Sequence, residues 1–143
     1  MFYSSDFFAD DLEIPKNIKF EKPKDKIDTS IIRKEKTFEI KNSSQPGIYE
    51  YYFLFNPKEN GKLYLKAFEI TQHIPLSEEQ IREKTMIEIN PNDSLQLFHK
   101  EFTIYEGDWG KFYGSKISIY FKPHNKPEQK LIEKNFIVEG WKR

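Results

Sequence analysis

With 143 residues and no cysteine, the chain can bury one sizeable core but has no disulfide or thiolate metal site to reinforce it. Its 23 basic and 23 acidic residues cancel, which argues against the basic excess of a non-specific nucleic-acid binder. Aromatic residues (13 Phe, 8 Tyr, 2 Trp) favour β-structure and argue against disorder.

The chain opens with Phe2, Tyr3, Phe7 and Phe8 set among Asp6, Asp10 and Asp11. Acidic-aromatic arms of this kind dock into a partner's groove or add a strand to a sheet edge. These four aromatics are therefore the candidate partner-binding residues, and residues 1–12 are read as an arm preceding a single domain over 13–143. The alternative is an arm that packs on its own domain. The opening residues lack a basic leader with a long apolar stretch, and no segment is apolar enough to span a bilayer. The expectation is a cytoplasmic protein with no membrane contact.

Residues 13–36 are rich in Lys, Asp and Glu. Ile18 and Phe20 flank Lys19, which reads as a short edge strand stopped by Pro23. Ile27, Ile31 and Ile32 fit either a strand or a helical turn. Residues 36–41 alternate as a strand, and 42–47, NSSQPG, form a loop by composition.

The densest apolar stretch is 47–71. Alternation places Tyr49, Tyr51, Phe53 and Phe55 on one strand face, and Leu63, Leu65, Ala67 and Glu69 on one face of the next. Pro57 and Gly61 mark a chain reversal between them, which predicts a hairpin. The aromatic face is read as core packing, with cofactor stacking the lesser alternative. No cofactor is expected.

Ser77 followed by Gln80 is a capping-box pattern and predicts one short helix over 77–84. Residues 85–89 read as a strand ending at the Asn90-Pro91-Asn92-Asp93 turn. In the longer strand 95–106 the apolar residues change sides midway, which predicts a bulge or a strand crossing between sheets. A turn at 107–110 carries Asp108 and Trp109. Residues 112–121 alternate cleanly, with Tyr113, Ser115, Ile117, Ile119 and Phe121 together. The last strand, 130–139, gathers Ile132, Phe136 and Val138.

About eight short strands with one helical turn predict an all-β, two-sheet antiparallel sandwich of immunoglobulin-like Greek-key topology. The cysteine–tryptophan–cysteine signature of antibody domains is absent. His73, His99 and His124 belong to no HExxH pattern, and neither a phosphate-binding glycine loop nor a GxSxG elbow occurs. His99 and Glu101 share a face, but two ligands do not make a metal site. The sequence therefore points to a non-enzymatic module that binds a protein partner through a sheet edge, end loops or the arm. A homodimer through an edge strand fits the same fold. The second reading is carbohydrate binding by Asp108, Trp109 and Tyr113. The third is a small hydrolase with two carboxylates that sequence cannot place.

Overall fold

The computed structural model describes residues 14–91 and 94–141. Phe2, Tyr3, Phe7 and Phe8 lie outside them. Two antiparallel sheets pack face to face. One contains β1 (Phe38–Asn42), β2 (Ile48–Phe55) and β5 (Gln96–Thr103), in the order β1-β2-β5. The other contains β3 (Gly61–Glu69), β4 (Ile87–Ile89), β6 (Tyr113–Pro123) and β7 (Gln129–Val138), in the order β4-β3-β6-β7.

The faces follow the period of two. Tyr49, Tyr51, Phe53 and Phe55 of β2 point inward and are buried, as are Tyr113, Ser115, Ile117, Ile119 and Phe121 of β6. The two inner faces meet through edge-on aromatic pairs, Phe38 with Phe136 at 5.8 Å and Phe55 with Phe121 at 5.7 Å between ring centres. Each such pair contributes about 0.5–1.5 kcal/mol beyond its burial.

The expected hairpin of β2 and β3 does not form. β2 pairs with β1 and β5, whereas β3 pairs with β4 and β6. The turn residues reverse the chain as read, but the reversal carries it from one sheet to the other. Nor does β5 contain the expected bulge. Its register with β2 is unbroken from Ile48↔Thr103 to Phe55↔Gln96. The apolar residues change sides because Leu97 lies exposed on the outer face while Phe98 and Phe102 point inward. The irregularity falls instead in β7, where Ile119 pairs with Ile132 but Tyr120 with Lys130, so that Leu131 is the extra residue.

Helix α1 (Glu78–Thr85) forms where Ser77 predicted it, with a different cap. Ser77 is left-handed at φ 43° and makes no side-chain cap bond within the helix. Its backbone N–H and hydroxyl both donate to the Glu106 carboxylate, at 2.8 and 2.7 Å, and its Oγ accepts from the N–H of Tyr105 at 2.9 Å. A carboxylate beyond β5 thus replaces Gln80, and its charge suits a helix N-terminus. A single 3₁₀ turn, Thr29–Ile31, resolves the ambiguity of that stretch; Asp28 caps it by accepting from the N–H of Ser30 at 3.0 Å.

The two open sides of the sandwich are sealed differently. Beside β5, α1 buries Ile81 and Thr85. Tyr51 donates to the Thr85 carbonyl at 3.1 Å, and Thr85 Oγ1 accepts from the N–H of Leu65 at 3.0 Å. Beside β1 and β7 runs a strap over residues 18–25. Glu21 donates to the carbonyl of Asn135 and accepts from Ile137, both at 2.9 Å. Lys24 donates to Ile40 at 2.9 Å and accepts from Asn42 at 2.8 Å. The strap is thus a parallel bridge first to β7 and then to β1, and it covers an edge of each sheet. Phe20 seats on Gly114, where an added Cβ would lie 2.6 Å from its ring. Gly140 allows a similar approach to the Glu106 carbonyl at the end of the sandwich.

Candidate functional site

The strap leaves a groove as it passes from β7 to β1. Ile14, Lys22, Pro23 and Asp25 come from the strap and its approach, Asn42 ends β1, and Ile137 and Glu139 bracket the end of β7. Tyr49 lies at the base and Phe112, just before β6, at the side. The cavity volume is about 500 Å³. Ile14 and Phe112 are large apolar side chains left in the open, Phe112 with 51% of its surface exposed.

The polar groups of the groove are held firmly. Asn42 Nδ2 donates to Asp25 Oδ1 at 2.9 Å. The N–H of Glu139 donates to the Tyr49 hydroxyl at 2.9 Å, and the N–H of Gly110 to Glu139 Oε1 at 2.8 Å. Burial pushes the Tyr49 phenol well above the usual tyrosine range, so it presents a neutral hydroxyl. Lys22 is exposed and has no anionic partner among the described residues. The groove therefore offers an apolar wall, a fixed pair of carboxylates and one unpaired cation.

Asp108, Trp109 and Tyr113 are not among the residues that line this groove. Asp108 and Trp109 are half-buried in the β5–β6 turn. Tyr113 is fully buried, and its hydroxyl donates to the Glu106 carbonyl at 2.7 Å. It packs the core, and its neighbour Phe112 presents the aromatic surface. Adjacent residues of an extended chain point to opposite sides, so the inward Tyr113 leaves Phe112 to face outward.

The outer sheet faces contrast with the groove. On the three-stranded sheet, Tyr52 stacks on His99 at 4.3 Å, and Glu50 meets His99 Nε2 at 2.7 Å and Lys41 Nζ at 3.4 Å. Burial works against the Glu50 charge, but hydrogen bonds from His99 and Ser43 with the Lys41 charge outweigh it and lower its pKa. On the four-stranded sheet, Tyr64 and Tyr120 stack at 6.2 Å. Lys66 pairs with Glu128 at 2.8 Å, and Tyr64 donates to the same carboxylate. Lys130 bonds Glu133 at 2.7 Å and holds its pKa down. Each face answers its charges with its own side chains.

His124 lies 4.0 Å from Glu88, and His73 occupies an exposed turn at φ 56°. Among the described residues no group of three or more His, Asp or Glu side chains converges on one point. No helix among them is long and apolar enough to cross a membrane. Comparison with protein-family models, curated proteins and solved structures gave no match for this chain.

Proposed function

We propose that the chain is a binding module that takes a peptide segment of a partner protein into the groove fronted by Phe112. The observation that carries this reading is a half-exposed phenyl ring at a cavity of about 500 Å³, beside Lys22, a cation without an anionic partner among the described residues. Ligand clefts span about 300–1,000 Å³ and combine apolar walls with a few fixed polar groups. A flat outer face saturated with its own ion pairs has less to offer, because a partner must first displace those pairs. The strand orders β1-β2-β5 and β4-β3-β6-β7 support an immunoglobulin-like Greek key. That assignment concerns architecture; the functional reading rests on the groove.

The test is retention of a partner from native cell extract by the whole chain and by Phe112→Asp. A partner held by the first and lost by the second, with unchanged thermal unfolding, is the expected result. Equal retention by both removes the groove from the reading. A tryptophan fluorescence change on adding sugars, with no protein retained, would transfer the function to carbohydrate binding at Asp108 and Trp109.

A further inference from the structure

We infer that the chain has a second binding surface beside the strap, separate from the groove, which takes an acidic segment of a partner protein. Lys26, Arg33 and Lys34 receive its carboxylates, and Ile31 receives a neighbouring apolar side chain. The inference stands whether or not the groove fronted by Phe112 binds anything.

The strap's alternation creates the surface. Pro23 and Asp25 line the groove already described, whereas Lys24 and Lys26, out of phase with them by one residue, line a second cavity of about 340 Å³. The loop that follows, residues 26–37, supplies most of the remaining wall and is held in place along its length. The Ser30 hydroxyl and N–H both donate to Asp28 Oδ1, at 2.6 and 3.0 Å. The N–H of Lys36 donates to the Leu54 carbonyl at 2.6 Å, and the N–H of Asn56 to Glu35 Oε2 at 3.0 Å. The Thr37 hydroxyl donates to the Lys34 carbonyl at 2.6 Å.

Charge identifies the occupant. Lys24 pairs with Glu39 at 3.0 Å, which leaves both balanced. Lys26, Arg33 and Lys34 are exposed and have no anionic partner among the described residues. Three cations thus stand against one carboxylate, Asp28, which is already engaged by Ser30. The groove has the opposite balance, with Asp25 and Glu139 against Lys22, so the two surfaces suit different partners. The apolar component is Ile31, 74% exposed on its 3₁₀ turn, with half-buried Ile27 and Ile32 in the same lining. A protein segment matches this surface better than an anionic membrane does. Arg33 can take a single carboxylate in its planar fork, and carboxylates spaced along a peptide can avoid Asp28. A uniformly anionic lipid surface lays negative charge over Asp28 as well.

The test uses a display library of random peptides, first depleted on the combined Lys26→Gln, Arg33→Gln and Lys34→Gln variant and then panned on the intact chain. All three positions are exposed, and unchanged thermal unfolding confirms that the variant folds. The expected result is enrichment of peptides that set Asp or Glu beside Ile, Leu, Val or Phe. By fluorescence anisotropy an enriched peptide should bind the triple variant about tenfold more weakly, the product of three exposed pairs of modest strength. Ile31→Ser should weaken the same peptide with all charges intact, and Phe112→Asp should leave it unaffected. Enriched sequences without acidic residues overturn the inference, as does the absence of any enrichment. A loss on Phe112→Asp overturns it too, by assigning the peptide to the groove. The membrane alternative is tested with phosphatidylcholine vesicles containing phosphatidylserine. Sedimentation of the intact chain but not the triple variant, with no peptide enriched, replaces the acidic segment with a lipid surface.

Discussion

The two seams of the sandwich close the same kind of gap by opposite means. The helix seam uses side chains: Ile81 and Thr85 are buried, and Ser77 is held by Glu106. The strap seam uses mainly backbone, through paired bonds at Glu21 and Lys24, and one ring, Phe20, on Gly114. A helix presents side chains on every turn and can fill a gap. An extended strap satisfies sheet edges but leaves space beside it wherever its own side chains point to solvent. The helix seam is bordered by a cleft with Gln80, Glu83, Lys84 and Glu101 in its lining, whereas the strap seam borders an apolar-walled one. The backbone-built seam is the one that leaves an apolar-walled groove open.

This contrast breaks most readily at Glu106. Glu106→Ala leaves the Ser77 amide and hydroxyl without their acceptor and should cost about 3 kcal/mol by urea unfolding. A loss below about 1 kcal/mol would mean the clasp is incidental to the helix seam. Phe20→Ala should cost less, about 1–2 kcal/mol, because its side chain is partly exposed. Its effect should be local. Amide exchange should accelerate at Ile137 and Asn42, which donate to the strap, and stay slow in β2. Uniform acceleration would instead make the strap part of the cooperative core.

The smallest effect belongs to neither seam and serves as a control. Glu50 has its pKa lowered below the ordinary value of 4.5 in the folded state. Its stabilisation is accordingly present above about pH 4.5 and is lost as the pH falls through the lower folded value. Glu50→Gln should therefore flatten the acid side of the stability profile slightly and leave both seams unchanged. An unaltered profile between about pH 5 and 3 would show that Glu50 gains nothing from its partners on that face.

Faces were legible in the sequence wherever alternation was strict. Tyr49 through Phe55 and Tyr113 through Phe121 read correctly because every second residue is apolar, Ser115 excepted, and the period of two admits one inward set. Pairing was not legible. Pro57 and Gly61 encode a change of direction, and the same turn chemistry serves a hairpin or a crossover between sheets. The capping box failed because Glu106, distant in sequence, offers Ser77 a charged acceptor, while Gln80 remains exposed. The groove was hidden for a related reason. Its walls come from Ile14, Phe112 and Ile137, each an ordinary apolar residue, and only the passage of the strap brings them together. The turn carrying Asp108 and Trp109 immediately precedes Phe112 in the chain, but neither residue lines the groove.

The crossover between β2 and β3 also has a consequence for the nascent chain. Ile48–Phe55 finds a nearby partner in β1 but must wait for Gln96–Thr103 to flank its other edge, and Gly61–Glu69 must wait for Tyr113–Pro123. Long loops close at an entropic cost before their contacts repay it, which slows folding. During synthesis the segment IYEYYFLF therefore emerges well before most of the surface that buries it. It has the composition of an aggregation-prone strand, interrupted by one charge, Glu50. The residue that anchors an ion-pair cluster in the finished sheet is thus also the gatekeeper of the unfinished one.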